Sequence, residues 1–275
     1  MKASSTARIE VERLGRYRLL ERIGGGATSL VFAAHDDAMD RNVALKMIVA
    51  DLEDEKETRE RFYREAKVTA QLFHPNIVTV LDVGEDQGHP YIVMELLDGW
   101  PLGEYLSGET SRPLATNLDL IRQLYAGLQA AHACDVVHRD IKPSNLFVQR
   151  NGSLKILDFG LARLHASTLT AMGQIVGTPD FMSPEQAGGE KVDARSDIFS
   201  AAAVSYLILT GRPPFTGPDL RRTLDALLGE DPAPMTDAEA PASVREVLNK
   251  GLAKDPARRY QNSAEMLLAL EAVRP

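Results

Sequence analysis

The chain has 275 residues, of which 44% are hydrophobic, so it is long enough to form two compact lobes around a cleft. Its net charge of −8 argues against broad binding of nucleic acids, because neutralising a phosphate backbone requires a basic surface. The single cysteine excludes an internal disulfide and a cysteine-ligated zinc cluster, and no stretch approaches the roughly 20 apolar residues of a transmembrane helix or the apolar core of a signal peptide.

A glycine-rich segment lies between two strand-like stretches, after a polar arm at residues 1–16. It consists of Ile23, Gly24, Gly25, Gly26, Ala27, Thr28 and Ser29. Glycines let backbone N–H groups approach phosphate oxygens closely. A Rossmann dinucleotide loop would open a helix and be followed by an acidic residue about twenty positions later. Here residues 30–34 have the pattern of a strand and Lys46 is the residue found later, so we predict a β-hairpin that covers a nucleotide.

A strand that ends in a lysine and a helix come next. Residues 43–45 are apolar and precede Lys46. A lysine at a strand end is usually only solvated, so its position alone assigns it no role. Residues 56–72 are predicted as a helix that ends at the step His74–Pro75. The apolar face of this helix is formed by Phe62, Ala66, Ala70 and Phe73.

Three further apolar segments predict buried elements. Residues 91–95 form a strand that runs into the polar residues 98–99. Residues 117–133 form a helix, and Cys134 at its end is expected to be an inert core residue. Residues 198–209 form a buried helix that carries Asp197 at its start, and their run is too short to span a membrane.

Two carboxylates, an amide and a lysine are clustered in the segment after residue 137. Asp140, Lys142 and Asn145 are followed, after one short strand, by Asp158. Phosphoryl transfer needs in-line positioning and neutralisation of charge on phosphate oxygens. Asp140 would accept the proton of an attacking hydroxyl, and Lys142 would lie near the γ-phosphate. Asn145 and Asp158 are hard oxygen ligands of the kind that Mg²⁺ prefers.

The sequence His-Arg-Asp-Ile-Lys-Pro-Ser-Asn at residues 138–145 and Asp-Phe-Gly at residues 158–160 resemble the catalytic loop and the metal-binding motif of eukaryotic-type protein kinases. The resemblance extends from Tyr17 to Leu270, and residues 183–187 and 252–256 are most similar to bacterial eukaryotic-like serine/threonine kinases. Lys142 followed by proline also resembles the serine/threonine branch.

The resemblance implies an α+β, bilobal protein kinase fold. Residues 17–97 would form a small lobe with an antiparallel sheet and one main helix, and residues 98–275 would form a larger, mostly helical lobe. One catalytic domain would span residues 17–271. The segment after residue 95 would be the hinge between the lobes.

The resemblance also implies a site for ATP. Lys46 would hold the α- and β-phosphates, oriented by Glu65, while Met94 would lie behind the adenine as the gatekeeper. Ser29 stands where the family usually has a third glycine, which predicts altered flexibility of the loop rather than lost binding. The implied ATP-contacting positions are Ile23, Gly24, Gly25, Gly26, Ala27, Thr28, Ser29, Val31, Ala44, Lys46, Met94, Glu95, Leu97, Phe147 and Asp158.

For the reaction, the resemblance implies ATP with Mg²⁺, or Mn²⁺ as an alternative, at Asn145 and Asp158. Thr178 would lie beside Asp140 and Lys142 where a substrate hydroxyl rests. Asp197 would brace the catalytic loop.

The segment 158–185 has the pattern of an activation segment. The resemblance implies an ion pair between Glu185, near its end, and Arg259. Arg139 is a cation that favours an anion nearby, and Thr168 and Thr170 are predicted as activating autophosphorylation sites.

Two other functions remain open. A catalytically weak pseudokinase or signalling scaffold is favoured only by Ser29, and a small-molecule phosphotransferase would not be expected to keep the Thr178 segment together with the Glu185–Arg259 pair. Expected partners are ATP and protein substrates with Ser or Thr acceptors, without nucleic acid, and a weak homodimer through the small lobe is consistent with the family. The expected location is the cytoplasm, as a separate enzyme or as the catalytic part of a longer membrane-anchored kinase.

Overall fold

The computed structural model describes residues 12–26, 29–48, 63, 66–108, 112–159 and 179–273. The chain divides into two compact units. The first, called the sheet unit here, contains Met1–Ala70 and Thr79–Leu97, and the second, called the helical unit, contains Gln71–Val78 and Asp98–Pro275.

Within its described residues, the sheet unit forms one six-stranded antiparallel sheet. Its strands are β1 (Arg13–Leu14), β2 (Tyr17–Gly25), β3 (Ser29–Asp36), β4 (Arg41–Ile48), β5 (Val80–Asp86) and β6 (His89–Glu95). Their spatial order is β1-β2-β3-β4-β6-β5. The central strand β4 is buried from Val43 to Met47, which places Lys46 in the interior with 8% of its surface exposed.

Two tyrosines pack in the core of the sheet unit. The rings of Tyr17 and Tyr91 meet edge to face, with 5.9 Å between their centroids. Gly84 on β5 makes room for this packing, because a Cβ at that position would lie 2.5 Å from the Tyr91 ring. The apolar core comprises Leu14, Tyr17, Ala34, Val43, Leu45, Met47, Tyr91 and Val93.

The helical unit contains a small sheet and, in its described part, seven α-helices. The sheet has the order β7 (Gly99–Pro101), β8 (Leu146–Gln149) and β9 (Leu154–Ile156). The helices are α1 (Leu102–Gly108), α2 (Leu114–His132), α3 (Pro184–Ala187), α4 (Ala194–Thr210), α5 (Leu220–Gly229), α6 (Ala242–Gly251) and α7 (Ser263–Ala272).

Helix α4 is the central element of the helical unit. Its residues from Ser196 to Tyr206 are all buried, so it is enclosed on every side, as expected for a helix inside a core. The Asp193 side chain caps its first turn by accepting the Arg195 N–H, and Gly211 ends it in the left-handed conformation with φ 73°. The predicted buried helix at residues 198–209 is confirmed.

Residues 71–78 belong to the helical unit because they pair with its small sheet. The Val78 N–H donates to the Ile156 carbonyl, and the Ile156 N–H donates to the Asn76 carbonyl. The Asn76 side-chain amide also donates to the Leu154 carbonyl across 2.9 Å. In the sequence, this segment lies between the two parts of the sheet unit. Its hydrogen bonds therefore join residues that are far apart in the chain.

Two predictions about helix ends were wrong. Phe73 was expected on the apolar face of the helix at 56–72, but the described helical residues end at 69 and Phe73 is 78% exposed. Cys134 was expected in the core, but α2 ends at His132 and the chain turns at residues 133–135, which leaves the thiol exposed. In both cases the chain leaves the helix before the residue that the apolar periodicity would bury. None of the helices in the described part of the chain has the length and apolarity needed to cross a bilayer.

Candidate active site

The catalytic loop is fastened to α4 by one carboxylate. Asp197, whose side chain is 1% exposed, accepts the His138 N–H at Oδ2 and the Arg139 N–H at Oδ1, both across 2.7 Å. Arg139 has a φ of 67°, a conformation that is strained for a residue with a Cβ. Two charge-assisted hydrogen bonds at this point hold the loop in a shape that it would not keep alone.

His138 is a structural residue of the loop. Its Nε2 lies 2.7 Å from the Leu157 carbonyl, which can only accept, so Nε2 carries the proton. The other ring nitrogen, Nδ1, therefore accepts the N–H of Asp140 across 3.2 Å. The ring also packs edge to face on Phe159, with 4.6 Å between centroids. Through these contacts the histidine fixes the backbone N–H of Asp140 and links it to the segment that carries Asp158.

Asp140, Lys142 and Asn145 are brought together by the structure. Lys142 Nζ lies 2.8 Å from Asp140 Oδ2, and Asn145 Nδ2 donates to the same oxygen across 2.9 Å. Asn145 Nδ2 also donates to the Asp140 carbonyl across 2.8 Å. The Asp140 side chain is 36% exposed, so a substrate can reach its carboxylate. A carboxylate that is held on one side and open on the other can accept a proton from a bound hydroxyl.

The same contacts orient Asn145 for a cation. The carbonyl oxygen and Oδ2 of Asp140 are both acceptors, so the amide nitrogen of Asn145 faces them. The amide oxygen of Asn145 is then the atom that can face a metal. The Leu157 N–H donates to the Asn145 carbonyl across 2.9 Å, which places the backbone of Asp158 next to this residue. An amide oxygen and a carboxylate fit Mg²⁺ when phosphate oxygens and water complete its coordination. The described residues contain no group of three or more His, Cys, Asp or Glu side chains suited to a metal.

Glu185 and Arg259 form a buried ion pair. Arg259 donates Nη1 to Oε1 across 2.7 Å and Nη2 to Oε2 across 2.8 Å, and Ser196 Oγ donates to Oε1 across 2.6 Å. Burial opposes ionisation of the carboxyl, but the hydrogen bonds from Arg259 and Ser196 outweigh it and hold the pKa of Glu185 below its ordinary value. Arg259 is 2% exposed, so this pair joins α3 to the segment before α7 inside the protein.

Gln186 is a site residue that the sequence analysis missed. Its Oε1 accepts the Ser183 N–H in a capping box at the start of α3, and its Nε2 donates to the Arg139 carbonyl across 2.7 Å. The pattern Ser-x-x-Gln could have indicated the capping box. The contact with a residue 47 positions away has no local signal.

The predicted β-hairpin is confirmed, because β2 and β3 pair antiparallel on the two sides of the glycine-rich segment. A Rossmann loop is excluded, since a strand and not a helix follows the glycines. The Gly26 N–H donates to the Ser29 carbonyl across 2.8 Å. Gly25 has a φ of 140°, and a Cβ there would lie 2.7 Å from the Ser29 carbonyl oxygen. Only glycine fits this position without strain.

The other nucleotide candidates of the sheet unit lie on β3, β4 and β6. Val31 pairs with Lys46, and Ala44 pairs with Met94, so these four residues lie on neighbouring strands. The Glu95 N–H donates to the Thr79 carbonyl across 3.0 Å. An adenine contact from Glu95 would therefore use its carbonyl. Further candidates described by the structure are Ile23 and Gly24 on β2, Leu97 after β6, and Phe147 on β8 of the helical unit.

Six predicted site residues lie outside the described residues, and their roles stay predictions. They are Ala27, Thr28, Glu65, Thr168, Thr170 and Thr178.

Comparison with protein families matches residues 17–271 to the protein kinase domain. The chain is 42% identical over 274 residues to a probable serine/threonine-protein kinase of Streptomyces coelicolor, covering 96% of this chain and 41% of that protein. It is 38% identical to serine/threonine-protein kinase PrkC of Bacillus subtilis, covering 92% of this chain and 39% of the relative.

Serine/threonine-protein kinase PknB of Mycolicibacterium smegmatis is 40% identical, with 91% of this chain and 42% of the relative covered. The chain thus spans about two fifths of the length of these relatives. The predicted α+β kinase fold is confirmed by the family match and by the two units described above. The chain belongs to the protein kinase domain family.

Proposed function

We propose that this chain is an ATP-dependent serine/threonine protein kinase, which transfers the γ-phosphate of ATP to Ser and Thr hydroxyls of proteins. The observation that carries the proposal is the Asp140 carboxylate, held by Lys142 and Asn145 on a loop that Asp197 fastens to α4. The relatives named above support it, since each is named as a serine/threonine-protein kinase.

In the proposed reaction, Asp140 orients the substrate hydroxyl and accepts its proton as the oxygen attacks the γ-phosphorus. Lys142, 2.8 Å from Asp140, supplies positive charge where the transferred phosphoryl group carries negative charge. Mg²⁺, or alternatively Mn²⁺, would be held by Asn145 and Asp158 and would neutralise the phosphate oxygens. Thr178 would complete the surface on which the hydroxyl rests.

For ATP itself, we propose that the backbone of the glycine hairpin contacts the phosphates and that Lys46 contacts the α- and β-phosphates, with Glu65 as its partner. Lys46 lies in the buried centre of β4, where an amine is kept for an ionic contact more readily than for solvation. Val31, Ala44 and Met94 supply an apolar surface for the adenine.

We further propose that phosphate on Thr168 or Thr170 activates the enzyme. The Nε atom of Arg139 is buried and has no hydrogen-bond partner among the described residues. A buried guanidinium nitrogen without a partner is costly, and a phosphate would satisfy it through charge-assisted hydrogen bonds. Autophosphorylation of the segment before Pro179 is the simplest source of that phosphate.

We also propose the class of partner and the location of the protein. Action on proteins without nucleic acid is supported by the net charge of −8. A weak homodimer through the sheet unit, and a cytoplasmic location alone or within a longer membrane-anchored kinase, rest on the family resemblance. The relatives extend well beyond the matched part, so the activity and substrates of a whole protein stay proposals too.

The test is mass spectrometry of the intact protein and its peptides after incubation with Mg-ATP, beside the isosteric variant Asp140→Asn. We expect phosphate on Ser or Thr in the wild type and at least about a hundredfold slower transfer in the variant. If neither protein gains phosphate or labels a protein acceptor, although both bind nucleotide, the protein is a scaffold. If small hydroxyl compounds are labelled and proteins are not, it is a small-molecule phosphotransferase.

A further inference from the structure

A buried serine at the start of α7 contacts the histidine that ends α2. Ser263 Oγ lies 2.9 Å from His132 Nδ1, although the two residues are 131 positions apart in the chain. Ser263 is 1% exposed and the His132 side chain is 8% exposed. Neither residue belongs to the catalytic loop, and both are too buried to meet a substrate.

The other nitrogen of this histidine contacts the carboxylate that fastens the catalytic loop. His132 Nε2 lies 2.9 Å from Asp197 Oδ2. A carboxylate only accepts hydrogen bonds, so Nε2 must carry a proton. In the neutral ring Nδ1 is then an acceptor, and the Ser263 hydroxyl is the donor that it meets. The Asp197 carboxylate thus sets the tautomer, and the serine hydroxyl adds a second hydrogen bond that holds the ring at its angle.

Asp197 uses both oxygens for three contacts. Oδ2 meets His132 and the His138 N–H, while Oδ1 meets the Arg139 N–H. Arg139 is the residue with the strained φ of 67°, directly before Asp140. The direction of the Asp197 carboxylate therefore decides how firmly the strained loop is held. Among its three contacts with described residues, the one with His132 comes from outside the loop.

We propose that Ser263 is a positioning residue for the catalytic loop: it holds the ring angle of His132, which holds Asp197 and so the backbone before Asp140. The effect on catalysis rests on the proposed kinase function. Loss of the hydroxyl leaves Nδ1 buried without its donor and lets the ring tilt, which weakens the hydrogen bond from Nε2 to the carboxylate. The loop would then populate conformers in which Asp140 is misplaced.

The test compares Ser263→Ala with Ser205→Ala. Ser205 is also a buried serine, with 0% exposure, and its hydroxyl donates to the Ala201 carbonyl across 2.7 Å within α4. Both changes remove one buried hydroxyl, but only Ser263 contacts His132. We expect kcat for peptide phosphorylation to fall about three- to tenfold in Ser263→Ala, with the KM for ATP unchanged, and to change less than twofold in Ser205→Ala.

Two further measurements separate positioning from a general loss of stability. In a His132→Phe background, Ser263→Ala should cause no additional loss of kcat, because the serine acts through the histidine. In ¹⁵N NMR spectra, Ser263→Ala should shift the ring nitrogens of His132 and the backbone amides of His138 and Arg139, whereas Ser205→Ala should leave them in place.

The outcomes also separate this inference from the proposed function. If the wild type transfers phosphate and Ser263→Ala matches Ser205→Ala in kcat and in these NMR signals, the inference is wrong and the kinase proposal stands. If the wild type transfers no phosphate, the kinase proposal fails. The amide shifts of His138 and Arg139 then still decide whether Ser263 holds the loop.

Discussion

The side-chain amide of Gln186 donates a hydrogen bond to the carbonyl oxygen of Arg139 across 2.7 Å. The same side chain accepts the Ser183 N–H with its oxygen across 3.0 Å. One residue therefore caps the short helix α3 and attaches it to the catalytic loop. Both backbone groups of Arg139 are thus held: its N–H donates to Asp197 and its carbonyl accepts from Gln186.

The change Gln186→Glu separates these two roles. A glutamate keeps the oxygen that accepts from Ser183, so the helix cap is retained and the free energy of unfolding should fall by only about 1 kcal/mol, through the lost hydrogen bond to Arg139. It cannot donate to the Arg139 carbonyl, so kcat should fall about three- to tenfold. Steady-state kinetics measure kcat, and urea unfolding measures the free energy of unfolding. The control Gln186→Met loses the cap as well and should cost about 1 kcal/mol more, and a fully active Gln186→Glu enzyme would show that the contact with Arg139 is dispensable.

Arg259→Ala should strongly destabilise the helical unit. The change leaves the Glu185 carboxylate buried without its cation and removes donors to three backbone carbonyls, those of Ala253, Lys254 and Arg195. We expect a loss of about 3–5 kcal/mol in the free energy of unfolding, measured in urea.

The matched control for that change is Arg222→Ala. Arg222 pairs with Glu230 at the surface, where the two side chains are 51% and 49% exposed, so its loss should cost at most about 1 kcal/mol. Equal costs for the two variants would mean that burial does not strengthen the Glu185–Arg259 pair.

Glu185 should make stability depend on acid pH. Its pKa in the folded protein is held below the ordinary value despite burial, because Arg259 and Ser196 donate to the carboxylate. The stabilisation is complete above the pKa of an unfolded glutamate and is lost as the pH falls through the folded value. Urea unfolding at several pH values between about 7 and 3 should therefore show a steeper decline for the wild type than for Glu185→Gln. Parallel curves would contradict this.

Lys254 should act in the alkaline range, where it also makes the stability rise with pH. Burial lowers the pKa of this amine to about 8, where Nζ donates to the Leu227 carbonyl across 2.6 Å and lies 3.4 Å from the centre of the Phe215 ring. Between that pKa and about 10.4, the unfolded chain holds a proton that the folded one has released, so the free energy of unfolding should rise with pH. Lys254→Met should remove this rise. The exposed Lys250→Met serves as a control that should keep it.

Gly25→Ala should strain the glycine hairpin. The φ of 140° and the 2.7 Å approach to the Ser29 carbonyl both exclude a Cβ, so we expect a cost of about 1–3 kcal/mol in the free energy of unfolding and a several-fold higher Kd for ATP. Gly24→Ala is the matched change, because its Cβ would lie 3.8 Å from Val31 in ordinary contact. Isothermal titration with ATP and thermal unfolding report the two effects, and equal behaviour of the two variants would refute the assigned strain.

Local patterns predicted the elements that local physics determines. The glycine hairpin, the strand at residues 91–95 and the buried helix that carries Asp197 have patterns of a few residues, and the structure contains them. The close approach of Asp140, Lys142 and Asn145 was also predictable, since only five positions separate the first from the last. Helix ends were less predictable, because the turns that expose Phe73 and Cys134 depend on packing beyond the apolar periodicity.

Contacts between distant residues could not be read from the sequence. Ser263 with His132, and Gln186 with Arg139, join elements whose spacing in the chain carries no information about distance in space. These residues also serve ordinary roles in capping and helix termini, which hides any second role. Long-range pairs of this kind become visible only when the fold places both elements.

The exposed turn after α2 makes the protein convenient for labelling. Cys134 is the chain's sole cysteine and its thiol is exposed, so a maleimide dye would attach at one defined position without prior mutagenesis. The dye would lie four residues before His138, close to where the catalytic loop begins. Fluorescence from this position could follow movements of the loop during nucleotide binding in the otherwise unaltered chain.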